Sequence, residues 1–365
     1  MKNTSLKEYI IDYIEIYTPM AKVLAYWHTQ ALGFTIVAVA DYETGSAGKT
    51  SYVLKSGDIC LVLTAAYPVG QIANTEVSSF IAQNYCGVKR IALRTDDVKG
   101  LFENSIANNA IPVKFPVAVV DENGVIEEAA IRLYDQNEIV FINRNAYDGV
   151  FKPGYKARNI EQEDIRLAPL QSVDHVASEV RINEINYWTQ YLSGTIGTEL
   201  VQRIQKSEAN KTGMVLNINQ SADKKLTLVM AEPDGYTGVS KVQQNIDKFG
   251  PGIHHLAFAT DDIIATVNTF TEKGVEFVSF PRSYYGLLRE NPDFKDIDID
   301  LLESNGILID KEDDTYLLQK FIKPISDRPF FLYEIVQRVN GYNGFALKNI
   351  NVLKAAEELE IMKQA

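Results

Sequence analysis

Two stretches of the chain are versions of one segment. Residues 87–98 read GVKRIALRTDDV and residues 252–263 read GIHHLAFATDDI, each a strand-like run followed by Asp-Asp and a helical stretch. The likeness extends outwards. IDYIEIYTPMAKVLAYWHTQALGFTIV (11–37) and VDHVASEVRINEINYWTQYLSGTIGTEL (173–200) open the two halves with strand, helix and strand in that order, and NEIVFINR (137–144) and FFLYEIVQR (330–338) close them. A repeated supersecondary unit cannot bury its apolar face alone, so the copies must share a core. The pattern predicts an α+β fold of tandem β-α-β-β-β modules, paired into two open curved-sheet barrels with the helices outside. Residues 151–172 carry Pro, Gly and mixed charge without periodicity and read as the connection. The expected division is an amino-terminal domain, residues 1–155, and a carboxy-terminal domain, residues 156–365. The last segment, NINVLKAAEELEIMKQA, sets Ile350, Leu353, Ala356 and Leu359 at helical spacing and has no counterpart in the first half. A helix with one apolar face at that place is a candidate lid.

Bulk properties narrow the function. A formal net charge of −12 with interspersed signs repels a polyanion and argues against nucleic acid as a partner. No apolar run approaches about 18 residues, so no membrane span is expected, and the opening MKNTSLKEYIIDYIEIY lacks the organisation of a signal peptide. Cys60 and Cys86 are the two cysteines of the chain, a usage that fits a reducing compartment. Cys60, in the strand-like DICLVLT, reads as core filler. These features predict a cytoplasmic protein that handles a small molecule, with association into a homo-oligomer left open.

Overlaying the halves subtracts what the fold needs and leaves the chemistry. Asp12-Tyr13-Ile14 matches Asp174-His175-Val176, Lys89-Arg90 matches His254-His255, and aligning Arg144 with Arg338 sets Val140 against Glu334. Tyr, Arg and Val in the first half thus become His, His and Glu in the second. Two imidazoles and one carboxylate form the facial triad that suits non-haem Fe(II) and leaves positions open for substrate and O2. Successive strand residues face opposite ways, so one of the adjacent histidines is expected at the metal. His255 shares its face with the small Ala257 and Ala259, whereas His254 shares its own with Leu256 and Phe258. His255 is the expected ligand, with His254 packing or supporting it from behind. His28, in the first helical stretch, reads as structural. The first half is expected to hold no metal.

The chain resembles the family of 4-hydroxyphenylpyruvate dioxygenase and 4-hydroxymandelate synthase, in the vicinal-oxygen-chelate superfamily. The resemblance is carried by VDHVA, GIHHLAFATDDI, GVEFVSFPRSYYGLL, LLQKFIKPISDRPFFLYEIVQR and GFALKNINVL in the second half. In the first half, IDYIEIYT and CLVLT resemble the family's degenerate, metal-free amino-terminal domain. It implies His175, His255 and Glu334 as Fe(II) ligands. It further implies a 2-keto acid bound at the iron, O2 as co-substrate, and decarboxylation that drives hydroxylation of the same molecule. Gln319, Phe321, Phe345 and Asn349 match substrate-side residues of the family.

Other positions depart from the family. Ala231 stands where the dioxygenases carry Asn, about Val215 where they carry Ser, and Lys241 and His254 where they carry Gln. Ala346 and Lys348 replace glycines of the last motif. An apolar residue at Ala231 and an isoleucine at Ile350 are shared with the mandelate synthases, whereas KPISDRP is dioxygenase-like. The implied substrate is 4-hydroxyphenylpyruvate or a close aryl-pyruvate. The product is 4-hydroxymandelate by benzylic attack or homogentisate by ring attack, and these residues leave both open. The alternatives are the same chemistry on a different 2-keto acid, or binding without catalysis. An extradiol catechol dioxygenase would need a further acid–base histidine, which a chain of four histidines does not place.

Overall fold

The computed structural model describes residues 8–68, 74–158, 170–205, 213–235, 240–346, 349, 351–353 and 355–356. Nine strands build the first sheet: β1 (Ile11–Tyr17), β2 (Thr35–Ala40), β3 (Lys49–Ser56), β4 (Ile59–Ala66), β5 (Gly87–Arg94), β6 (Pro112–Asp121), β7 (Gly124–Leu133), β8 (Asn137–Tyr147) and β9 (Lys156–Ala157). Eight build the second: β10 (Val173–Glu179), β11 (Glu199–Ile204), β12 (Met214–Gln220), β13 (Thr227–Pro233), β14 (Gly252–Ala259), β15 (Leu308–Glu312), β16 (Thr315–Phe321) and β17 (Leu332–Val339). The orders are β6-β7-β8-β5-β1-β4-β3-β2-β9 and β11-β12-β13-β10-β14-β17-β16-β15. Each sheet is therefore two β-α-β-β-β modules side by side. They join where their first strands run antiparallel, β1 with β5 and β10 with β14. This is the architecture that the repeat predicts. β9 pairs with β2, so the first sheet runs two residues past the expected division at 155.

The repeated Asp-Asp turns out to be a helix start. Asp97 accepts from Gly100 N at 2.7 Å and Asp262 from Ala265 N at 2.9 Å, opening the helices Val98–Ala107 and Ile263–Glu272. Each cap is worth about 1 kcal/mol. The helices that follow β1 and β10 both stop on a glycine at φ 75°, Gly33 after Ala21–Leu32 and Gly197 after Ile185–Ile196. A side chain at this left-handed position would cost about 1–2 kcal/mol.

Strand alternation then sorts the side chains. Val176, Leu256, Phe258, Tyr333 and Ile335 turn towards the helices and join one core that runs through both halves. Within it, Phe34 meets Phe258 with ring centres 6.2 Å apart. His28 spans the halves: Nδ1 donates to Leu24 O at 2.7 Å, and Nε2 takes the Tyr333 hydroxyl at 2.8 Å. It is fully buried, the structural histidine expected. The opposite, concave face of the first sheet is lined by Tyr13, Cys60, Ala92, Val140 and Phe151 and by ion pairs of Arg90 with Glu15 and Glu138. Cys60 is a buried free thiol there, pushed up to about 12 by burial, which suits filler and not chemistry. No helix among the described residues is long and apolar enough to cross a membrane.

Candidate metal centre

Three neighbouring strands of the second sheet build the site. Ala257 of β14 pairs with His175 of β10 on one side and with Glu334 of β17 on the other. Residues paired across a sheet project from the same face, so both side chains lean over a small alanine. In the first sheet Ala92 sits between Tyr13 and Val140 in the same register. His175 and His255 each bring Nε2 to the same Glu334 oxygen, at 3.2 and 3.3 Å. The three ligand atoms lie within 4.8 Å of one another, a group that could hold a metal ion. Their side chains are 8%, 16% and 2% exposed, with His255 the most open. Two neutral imidazole nitrogens and one carboxylate oxygen suit a divalent first-row metal and leave coordination positions for other ligands.

Simple alternation fails at two points, and both matter. β10 carries one extra residue at Asp174 and β14 one at His254, where the ladder slips. A bulge lets consecutive side chains lean the same way. Asp174 thereby reaches its neighbour and accepts from His175 Nδ1 at 2.7 Å. Arg338 holds that carboxylate in turn, through Nε at 2.7 Å and Nη2 at 2.9 Å. His254 comes ring to ring with His255, Nδ1 to Nδ1 at 2.8 Å, and packs its edge on Phe330. The expectation that His254 turns away with Leu256 and Phe258 is corrected by this bulge: His254 supports His255 from the side. With Nδ1 of both His175 and His255 engaged, Nε2 is the nitrogen that each turns towards Glu334 and would offer to a metal. The same bulges occur at Asp12 and Lys89 in the first half, where Arg94 and Arg144 hold Asp12.

The charges are arranged for a cation. Burial pushes the Glu334 carboxyl up, but the two imidazoles more than offset this and hold it down to about 2. Burial pulls His175 down, while its bonds to Asp174 and Glu334 raise it to about 9, so a proton takes up the charge there. His254 is pushed down to about 3, chiefly by burial, and His255 is lowered for the same reason. His254 is therefore neutral, able to accept from His255 Nδ1.

The remaining expected pocket residues divide. Phe321 pairs with Glu334 and lays its ring at right angles to His255, 5.6 Å away. Gln319, two residues earlier, is buried on the same face. Phe345 stands edge-on to His175, ring centres 6.1 Å apart, under the Arg338 guanidinium. Ala231 packs in the cluster around Phe345. Val215 does not belong with them. It pairs with Glu232, one residue out of phase with Ala231, and packs against the helix-side core; Leu216 takes the pocket face instead. Lys241 begins the helix Lys241–Phe249 as an exposed residue, near enough to lower the pKa of both Glu179 and His254. Asn349 is buried, its amide oxygen taken by the Tyr284 hydroxyl at 2.5 Å, which anchors the carboxy-terminal segment. Ile350 lies outside the described residues.

Asp174, Arg338 and Glu179 were not singled out from the sequence as parts of the site. For the first two a signal existed, because Asp12 and Arg144 repeat the pair in the metal-free half.

The model of the Glyoxalase/Bleomycin resistance protein/Dioxygenase superfamily matches residues 172–298. The chain is similar to 4-hydroxyphenylpyruvate dioxygenase of Tetrahymena thermophila, 30% identical over 366 residues that cover 97% of this chain and 90% of the relative. It is 29% identical to the enzyme of that name from Yarrowia lipolytica, covering 97% of this chain and 92% of the relative. Among solved structures, a triple mutant of 4-hydroxymandelate synthase from Streptomyces coelicolor superposes with a TM-score of 0.82 at 24% identity, over 97% of this chain and 99% of that one.

Proposed function

The chain belongs to the 4-hydroxyphenylpyruvate dioxygenase family and is a dioxygenase, and on that premise we propose that it uses Fe(II) to decarboxylate and hydroxylate one aryl 2-keto acid, 4-hydroxyphenylpyruvate or a close analogue. The observation that carries this reading is the convergence of both Nε2 atoms on one Glu334 oxygen, on the concave face and next to small residues. Iron held by His175, His255 and Glu334 would supply the Lewis acid and the redox centre at which keto acid and O2 meet.

The protein's own part is positional. Asp174 fixes the His175 tautomer, and His254 fixes that of His255, so that both present Nε2 lone pairs. Phe321 and Phe345 flank the two imidazoles with apolar rings and exclude water from the reacting end. Gln319 offers an amide on that face for the bound substrate. Residues 156–365 are assigned as the catalytic domain, with the carboxy-terminal helix from about Asn349 as its proposed lid, and residues 1–155 as a metal-free companion domain. A reducing, cytoplasmic setting is our reading, supported by the two cysteines, both free thiols.

The test is anaerobic loading with Fe(II), addition of 4-hydroxyphenylpyruvate, then O2, with separation of the products. Homogentisate means ring attack, and 4-hydroxymandelate means that the apolar Ala231 side redirects the oxidant to the benzylic carbon. No O2 uptake with any aryl 2-keto acid overturns the proposal.

A further inference from the structure

The wall that leads away from the metal residues contains one group that does not fit an apolar lining. His175, Ala177 and Glu179 follow one another on the same face of β10, and Glu179 pairs with Ala231 of β13. Around them Ile204, Leu216, Ile218, Val229, Ala231 and Phe345 form an apolar cluster. Glu179 is 6% exposed. Its Oε1 accepts from Asn245 Nδ2 at 3.0 Å, whereas its Oε2 is buried with no hydrogen-bond partner. A buried carboxylate oxygen left without a donor is costly, and such groups persist where a ligand supplies the missing bond. Burial raises the carboxyl to about 7 against the pull of Asn245 and Lys241, the cost of holding a carboxylate there with one oxygen unpaired.

We propose that Glu179 reads the far end of the substrate: Oε2 accepts a hydrogen bond from a donor, a phenolic hydroxyl, at the end of an aryl 2-keto acid whose keto-acid end lies at the metal residues. Four residue-to-residue steps of extended strand lead from His175 to Glu179, about 13 Å of backbone. Both side chains project from the same face, so a substrate held by its keto-acid end at the metal residues would lie along the strand with its ring towards Glu179. Ala177 between them and Ala231 beside them present only methyl groups on this face, and Phe345 and Leu216 are the apolar side chains a ring would meet there. In a pocket where Ala231 offers no polar group, the carboxylate is what distinguishes a hydroxylated ring from a plain one. This inference rests on the aryl keto-acid reading given above.

The experiment compares 4-hydroxyphenylpyruvate with phenylpyruvate, which lacks the hydroxyl. Wild type, Glu179→Leu and Glu179→Gln, each loaded with Fe(II), are assayed by O2 uptake and by anaerobic binding calorimetry. Wild type should favour the hydroxylated substrate by at least about tenfold in kcat/KM, the scale of one hydrogen bond to a buried charged acceptor. The Leu variant should lose that preference by weakening only the hydroxylated substrate, in binding as well as turnover. The Gln variant, which keeps an acceptor oxygen, should fall between. A wild type that does not discriminate overturns the inference, whether or not the Leu variant folds. So do variants that weaken both substrates equally or neither. A wild type that consumes O2 with neither aryl keto acid overturns the substrate reading itself, and this inference with it.

Discussion

Replacing Asp174 by Asn separates what the fold needs from what the metal needs. Asp174 Oδ1 takes His175 Nδ1 at 2.7 Å and Arg338 Nη2 at 2.9 Å, and Oδ2 takes Arg338 Nε at 2.7 Å. An amide can turn its one oxygen to the imidazole or to the guanidinium; its NH2 then meets a donor on the other side. Breaking a buried ion pair costs about 3–5 kcal/mol. With Arg338 23% exposed and Asp174 9% exposed, water recovers part of this, and about 2–3 kcal/mol of stability should be lost. The metal effect is distinct: an imidazole that loses its carboxylate partner typically loses about 10- to 100-fold in metal affinity. Asp12→Asn is the internal control, because Asp12 holds Arg94 and Arg144 from the same bulge with Tyr13 where the ligand would be. It should destabilise the protein by a similar amount and leave metal affinity unchanged. Urea unfolding of the metal-free proteins reads the first quantity, and anaerobic Fe(II) competition against a chromophoric chelator reads the second. Unaltered affinity in Asp174→Asn, or an equal loss in Asp12→Asn, would refute the reasoning.

Three further outcomes are expected. His255→Ala should purify without iron after reconstitution, whereas His254→Ala should keep most of it; equal loss in both would show that His254 is itself a ligand. Burial holds His28 down to about 4 against its ordinary 6.5. An unfolded chain therefore takes up a proton in that window that the folded chain refuses, and stability falls as pH drops from 6.5 towards 4. Urea unfolding of His28→Gln should lose about 2 kcal/mol less than wild type between pH 7 and pH 5, and parallel curves would contradict it. Ala346 stands at φ 50°, in the left-handed region. Ala346→Gly should raise the melting temperature slightly, by up to about 1 kcal/mol of stability, where an alanine-to-glycine change ordinarily lowers it.

The module order, the helix starts and the three converging residues were legible because the chain carries its own comparison. Tyr13, Arg90 and Val140 show what those positions hold when only folding is asked of them, so His175, His255 and Glu334 stand out. What was not legible depends on single-residue slips. The bulges at Asp174 and His254 overturn the alternation from which His254 was assigned to the core side, and nothing local in VDHVA or GIHHLA announces an extra residue. Val215 was matched to a serine of the family, and an error of one residue moves a strand side chain to the other face. Glu179 reads in sequence as an ordinary polar strand end. Its environment is set by Asn245, 66 residues away, which takes the other carboxylate oxygen, and by apolar side chains of three other strands.

A backbone frame that forms equally well around tyrosine, arginine and valine does not need a cation to fold. The bulges at Asp12 and Lys89 are as well built as those at Asp174 and His254, with arginine and carboxylate partners in place of ligands. Folding of this chain therefore does not wait for the metal, unlike the case of small zinc modules that are random coils until loaded, and a bound ion adds its stabilisation to an already folded frame. The ion can leave and return to a receptor that keeps its shape. Loss of the metal by chelation would then silence the enzyme reversibly instead of committing it to unfolding and proteolysis.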